Sequence, residues 1–218
     1  MDSRIAGFPW IWDRDLRLCL DHGVAWQADM TSQRVEYGPE YLAKVQAYEG
    51  SEIAAKVNAG RCALLARHLP AGGRVLDWGA GSGAFMRAAR AAGFEVHGFD
   101  VIEETARWLR ATGAYSDNPG RFDAVTAWDV LEHLEDPAGL LAHLRPGALL
   151  LVSIPVFSDL RRIRASRHYR PGEHLYYWTV AGFVEWMGAR GFSLLEESAH
   201  EVAAGRDSIG AFAFRRCT

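Results

Sequence analysis

The stretch VLDWGAGSGAF, from Val75 to Phe85, decides the fold. An apolar strand pattern ends in an acid, Asp77, and breaks into three alternating glycines, Gly79, Gly81 and Gly83, before an Ala-rich helical pattern begins. A strand that turns through glycines into a helix is the opening unit of an open parallel sheet, and ligands in such sheets sit outside the carboxyl ends of the strands. Glycines there leave no Cβ in the way of a ligand, while the helix N-terminus that follows favours an anionic group.

Working outward, strands and helices continue to alternate. RVLDWGA is followed by AFMRAARAAG, EVHGFD, EETARWLRATG, FDAVTAWD, a helix starting near Asp136 with Pro137 at its first position, and ALLLVSIP. Strand then helix, repeated, means parallel strands with crossover helices on both faces. After a helix around Val180 to Arg190, FSLLEES and SIGAFAFRR read as a closing antiparallel pair with no helix between them. Upstream, apolar residues recur at three- and four-residue steps from Thr31 to Pro70, interrupted at Gly50–Ser51 as by one helix end and a new N-cap. The expected architecture is α/β, doubly wound and Rossmann-like: a mostly parallel seven-stranded sheet, a C-terminal antiparallel hairpin and an N-terminal helical cap. Residues 1–70 form the cap and 71–218 the ligand-binding domain.

A chain of 218 residues, 49% apolar, suffices for one substantial core. The formal charge of −3 gives no global attraction to phosphate polymers. Cys19, Cys62 and Cys217 are odd in number and far apart, with neither disulfide nor metal-ligand spacing, which suits a reducing compartment. Charges at Asp13, Arg14, Asp15 and Arg17 interrupt any signal-peptide core, and no run reaches membrane-spanning length. A soluble cytoplasmic protein with no membrane partner is expected.

Gly79, Gly81 and Ala84 satisfy G-x-G-x-x-G/A, and Asp100 falls 21 positions after Gly79, where a ribose-binding acid belongs in a dinucleotide site. Asp77 points the other way: a carboxylate at the strand end repels a pyrophosphate and suits an ammonium group. The string Asp77-x-Gly79-x-Gly81-x-Gly83 resembles motif I of class I S-adenosylmethionine-dependent methyltransferases. The resemblance extends to GFD at Asp100, to FDAVTAWDVLEHLEDP, which is similar to the fourth-strand segment of ubiquinone-type O-methyltransferases, and to EHLYYWT; it covers about Arg74 to Gly191. YEGSEIAAKVNAGR and GRDSIGAFAFRR together also resemble methyltransferase-like proteins of bacteriophage genomes.

The resemblance implies a methyltransferase with S-adenosyl-L-methionine as cofactor. Asp77 would hold the ammonium group, Gly79, Ala80, Gly81 and Gly83 would lie under the cofactor, and Asp100 would bind the ribose hydroxyls. Val101 and Ile102 would pack on the adenine, and Trp128 and Asp129 would line the methionine portion partly through backbone carbonyls. A nicotinamide-dependent oxidoreductase and a non-catalytic binding protein are the rivals.

His133 and His174 each follow a strand and return to the same expected pocket mouth, beside Glu132 and Glu173; either could take a proton from a substrate hydroxyl at neutral pH, or be a satisfied rim residue. Asp129, Glu132 and His133 have metal-ligand side chains, but neighbours on one turn point apart, so no metal is expected. Arg161, Arg162, Arg164, Arg167 and Arg170 form the strongest charge cluster, read as a solvated loop or as an anion-recognising lid in which Arg164, Arg167 and Arg170, with Tyr176, would bind substrate. The lid would serve a small acceptor, with nucleic acid through the 161–170 loop as the alternative partner. No N-P-P-Y, D-P-P-Y or Pro-Cys string of base-methylating enzymes is present. Trp10, Trp12, Trp26, Tyr37 and Tyr41 are either cap core or an aromatic cover over the site.

Overall fold

The computed structural model describes residues 10–12, 15–29 and 37–218. Of the N-terminal aromatic residues, the side chains of Trp10 and Trp12 lie outside what is described. Among the described residues, three short strands, β1 (Trp10–Trp12), β2 (Leu16–Cys19) and β3 (Val24–Gln27), come before the helices α1 (Pro39–Glu49) and α2 (Glu52–His68). The two helices part at Gly50–Ser51 as the pattern requires, because the Ser51 hydroxyl accepts the Ala54 N–H at 3.2 Å and caps α2.

From there the alternation runs β4 (Arg74–Trp78), α3 (Ala84–Ala91), β5 (Glu95–Phe99), α4 (Glu103–Ala111), β6 (Ala124–Trp128), α5 (Pro137–Ala142) and β7 (Leu149–Pro155). It continues with β8 (Tyr176–Trp178), α6 (Val180–Gly188), β9 (Phe192–Ser198), α7 (His200–Ala203) and β10 (Ile209–Arg216). The main sheet has six strands in the order β5-β4-β6-β7-β10-β9, parallel from β5 to β7 and antiparallel at β10 and β9. The seventh strand is reduced to one parallel bridge between Gly98 and Tyr115. Ser116-Asp117-Asn118-Pro119-Gly120 follows at once, and these turn residues end the pairing. A second correction is α7, a single turn between β9 and β10 where no helix is expected from the sequence.

All seven residues of β7 are buried, as a strand covered on both faces must be. One core, with Leu131, Leu150, Phe183 and Phe212, covers one face of the sheet; another, with Leu64, Leu65, Met86 and Leu109, covers the other. The edge strand β9 exposes Leu194 and Leu195 beside Glu196 and Glu197, and a bulge opposite Ala213–Phe214 twists it. Charge and bulge together discourage further strand pairing.

The N-terminal strands form a second sheet, β1-β2-β3-β8, whose last member comes from the segment after β7. Tyr176, Tyr177 and Trp178 pair with Trp26, Ala25 and Val24. A segment far along the chain is thereby fixed against its beginning, above the carboxyl end of the parallel strands.

Candidate active site

The glycine turn after β4 is left-handed at all three glycines: φ is +88° at Gly79, +55° at Gly81 and +77° at Gly83. A Cβ on Gly79 would stand 2.6 Å from Val130 Cγ2, and one on Gly83 would stand 2.6 Å from the Trp108 ring. Only glycine fits either place. Four of the turn's donors are already engaged. Gly79 and Ala80 donate to the Phe99 carbonyl at 2.8 and 3.0 Å, Gly83 donates to the Ala80 carbonyl at 2.8 Å, and Gly81 donates to Asp100 Oδ2 at 2.7 Å. A pyrophosphate would need those N–H groups free.

Asp100, at the end of β5, therefore clips the turn: its other oxygen accepts the Ile102 N–H at 2.8 Å. Each oxygen keeps a further lone pair for a ligand hydroxyl. Burial raises its pKa, while the hydrogen bonds from Ile102, Gly81 and Val101 pull the other way. Beside it Val101 is 71% exposed, an apolar surface without cover, whereas Ile102 is buried. Asp77 is buried in the strand end, and its Oδ1 accepts the Thr126 hydroxyl across β4–β6 at 2.7 Å.

Trp128 and Asp129 end β6, but both side chains turn to the α2 side. Trp128 packs on Phe85 under the Arg61 guanidinium, 4.7 Å from the ring centroid. Asp129 adopts φ +57°, which Asp tolerates better than most residues, and accepts from Arg206 at 2.8 Å, Arg61 at 3.3 Å and the Ser153 hydroxyl at 3.1 Å. Glu201 completes this buried ion network, 2.8 Å from Arg61 Nε and 2.7 Å from Arg206. Burial pushes the Glu201 carboxyl up, but the His200 hydrogen bond and the two guanidinium charges overcome it and hold the group down at about 2.

Sequence reasoning missed Arg61, Glu201 and Arg206. A signal for one was present: Arg61 shares the buried helical stripe of Ala54, Val57, Leu64 and Leu65, where an unpaired charge has no place.

The expected mouth assembles as the sequence suggests. A short 3-10 turn, Leu131–His133, follows β6, and the Leu175 N–H donates to the Glu132 carbonyl at 2.7 Å. That one bond lays His174 against His133, their rings 4.7 Å apart and edge to face. Glu132 is only 1% exposed, and neither carboxylate oxygen has a hydrogen-bond partner. Burial and the Asp129 charge raise its pKa well above the ordinary value. Nδ1 of His133 lies 2.9 Å from the Glu173 carbonyl, and Nδ1 of His174 lies 3.0 Å from the His168 carbonyl. A carbonyl only accepts, so both rings carry their proton on Nδ1. Burial lowers both histidines, His174 with help from His133 and Arg170 down to about 3, which makes it a weak base.

Tyr37 reaches the same nitrogen of His133 at 3.2 Å and meets Tyr41 edge to face at 4.9 Å. Burial raises both phenols, Tyr41 to about 12, and the Asp100 charge adds to each shift. Tyr37 thus joins Tyr41 to the histidine pair. Asp129 does not join Glu132 and His133, as expected; His174 does.

The arginine segment, read as a solvated loop or an anion-recognising lid, has separate partners for each arginine. Arg164 pairs with Asp15 at 3.2 Å, Arg167 donates to the Asp207 carbonyl at 3.1 Å, and Arg170 pairs with Glu173 at 3.2 Å. Folding ties each to a different neighbour, and of the three only Arg170 acts on both His133 and His174. Tyr176 donates to the Glu135 carbonyl at 3.2 Å and stacks on Trp178.

A family model described as a methyltransferase domain matches residues 48–197. The chain belongs to the methyltransferase-domain family. It is 31% identical to the ubiquinone biosynthesis O-methyltransferase of Bordetella pertussis over 38% of its own length and 42% of the relative's. The chain thus spans less than half the length of the curated relatives it matches. Among solved structures it is similar to 1,6-didemethyltoxoflavin-N1-methyltransferase of Burkholderia thailandensis, with bound 1,6-didemethyltoxoflavin and S-adenosylhomocysteine. That likeness has a TM-score of 0.58 and 18% identity over 97% of this chain and 100% of that one. The magnesium protoporphyrin IX methyltransferase of Synechocystis PCC 6803, with bound S-adenosylhomocysteine, gives 0.57 and 18% over 82% and 95%. These likenesses show the fold: a methyltransferase-type α/β sheet.

The cradle of this methyltransferase-family protein fits S-adenosylmethionine as its cofactor. Its glycine turn bonds four of its N–H groups internally, Asp100 keeps free lone pairs beside it, and Val101 leaves an apolar surface exposed.

Proposed function

We propose that the protein transfers a methyl group from S-adenosylmethionine to a small-molecule oxygen or nitrogen nucleophile. The observation that carries the reading is the glycine turn whose N–H groups are already bonded, one of them to Asp100, beside an exposed Val101. When bound, the cofactor supplies an electrophilic methyl group for in-line displacement, and the protein's contribution is alignment. Gly79, Ala80, Gly81 and Gly83 seat it, Asp100 takes the ribose hydroxyls, Val101 and Ile102 flank the adenine, Asp77 faces the ammonium end, and the backbone of Trp128 and Asp129 borders the methionine portion. Residues 1–70 act as the cap, with Tyr37 and Tyr41 over the crevice, and 71–218 as the cofactor-binding domain.

The acceptor lies on the side of Glu132, His133 and His174, with Arg170 and Tyr176 at the rim. A small acceptor is favoured because Arg164, Arg167 and Arg170 are dispersed among separate partners rather than arrayed along a polyanion track. The named relatives, an O-methyltransferase of ubiquinone biosynthesis and methyltransferases of toxoflavin and magnesium protoporphyrin IX, support the same class. No helix among the described residues is long and apolar enough to cross a membrane, and three free thiols suit a cytoplasmic setting.

Calorimetric titration with S-adenosylmethionine, S-adenosylhomocysteine and NADH tests the cofactor. Binding of the first two and not the third is expected, and preference for NADH would reverse the assignment. Incubation of cell extract with labelled S-adenosylmethionine, read by mass spectrometry, then finds the acceptor; a labelled nucleic acid in place of a small molecule would refute the acceptor class.

A further inference from the structure

We infer that Glu132, His133 and His174 form a binding site for one divalent transition-metal ion. One ligand atom of each residue can be chosen so that all three lie within 4.8 Å of one another. His133 Nε2 is 3.9 Å from Glu132 Oε1. Donors at about 2.1 Å from one ion in tetrahedral or trigonal geometry stand about 3.4–3.6 Å apart, so closing the set takes side-chain adjustments that bring the most distant pair about 1.2–1.4 Å closer.

Two further observations point to a cation. Both histidines donate Nδ1–H to backbone carbonyls, of Glu173 and of His168, which leaves each Nε2 with its lone pair outward. Metal-ligating histidines are commonly fixed in this way by a partner on the other ring nitrogen. Glu132, moreover, is a buried carboxyl with both oxygens unpartnered. An unpaired buried carboxylate is costly, and a bound cation is one of the few partners that relieves it. Among the described residues no arginine hydrogen-bonds this carboxyl: Arg170 is bound to Glu173, and Arg61 and Arg206 are bound to Asp129 and Glu201.

Two imidazole nitrogens and one carboxylate oxygen suit a borderline ion such as Zn2+ or Co2+ better than Mg2+ or Ca2+, which prefer all-oxygen sets. Three protein ligands leave at least one position open. Resting on the methyltransferase reading, that position is where an acceptor oxygen or nitrogen would bind and have its pKa lowered.

Metal binding is measurable without any acceptor. Chelator-treated protein is titrated with Co2+ and followed by its visible d–d absorption, then challenged with Zn2+; one equivalent of Co2+, displaced by Zn2+, is expected. Glu132→Gln and His174→Asn should each weaken Co2+ binding roughly a hundredfold or more while circular dichroism stays native. Should a variant misfold, 15N-histidine spectra of the wild type decide: Zn2+ must shift the Nε2 resonances of His133 and His174. No Co2+ spectrum, wild-type affinity in both folded variants, or shifts confined to other histidines would overturn the site. S-adenosylmethionine calorimetry on the same samples keeps the two claims apart. Cofactor binding without Co2+ binding removes only the metal, and Co2+ binding without cofactor binding removes only the methyl-transfer reading.

Discussion

Asp100→Ala separates a structural clip, which the structure shows, from the ribose contact that the proposed function adds to the same carboxylate. It accepts the N–H groups of Gly81 at 2.7 Å and Ile102 at 2.8 Å, and it is nearly buried. Removing it orphans two backbone donors, a cost of about 1–3 kcal/mol each. For a chain of this size each kcal/mol lowers Tm by about 2–4 °C, so a fall of roughly 4–24 °C is expected from the clip alone. The cofactor loses more: two hydrogen bonds from ribose hydroxyls to a charged acceptor, about 1.5–3 kcal/mol each. At 1.4 kcal/mol per decade that is roughly two to four orders of magnitude in Kd for S-adenosylmethionine. Thermal melting without ligand and calorimetry below the melting range measure the two effects separately. A lowered Tm with affinity within about threefold of wild type would leave Asp100 a clip and refute its contact with the ribose; the threefold limit is about 0.65 kcal/mol.

Gly79→Val combines a branched side chain at φ +88° with a Cβ 2.6 Å from Val130; a loss of at least about 1–3 kcal/mol in stability, together with cofactor binding, is expected, and a wild-type melting curve with full binding would mean the turn is not the cradle. Glu201→Gln leaves Arg206 and Arg61 short of a buried partner, which should destabilise by about 3–5 kcal/mol; an unchanged Tm would show the network to be dispensable. Because the Glu201 carboxyl is held near 2 in the folded chain against an ordinary value of 4.5, its stabilisation is complete above about pH 4.5 and is lost as pH falls toward 2. That loss amounts to about 3 kcal/mol, so urea midpoints measured across this window should fall more steeply for wild type than for Glu201→Gln. Replacing Arg164, Arg167 and Arg170 by Gln removes exposed pairs worth about 0.2–1 kcal/mol each; cofactor affinity should be unchanged, while steeply salt-dependent RNA or DNA binding lost in this variant would restore the nucleic-acid partner.

What could be read ahead of the structure followed from local periodicity. Each crossover from β4 to β7 is announced by an apolar run and a turn, and Ser51, Asp136 and Thr179 each cap a helix from a position visible in the sequence. The chemistry of Gly79, Gly81, Gly83 and Asp100 was legible for the same reason, since strand end and helix start are adjacent in the chain. The rest depends on distant partners. Leu16–Cys19 and Val24–Gln27 are too short to declare themselves and become strands by pairing with each other and with Tyr176–Trp178. Glu132 meets His174 through a backbone bond to Leu175 that no local pattern encodes. Arg164 and Arg167 meet Asp15 and Asp207, residues whose proximity only the folded chain reveals.

The small sheet has a consequence for how such a protein can change its substrate. The Gln27 side chain donates to the Tyr177 hydroxyl at 2.8 Å and to the His174 carbonyl at 3.4 Å, and its backbone N–H donates to Leu175. The histidine-bearing loop is therefore moored to β3, while the glycine cradle is moored to β4 and β5. Recombination that exchanged residues 156–178 alone would break the mooring, and a graft that also carried residues 15–29 would preserve it. New acceptor pockets on this scaffold should arrive as two exchanged segments inherited together, with the cofactor half of the molecule untouched.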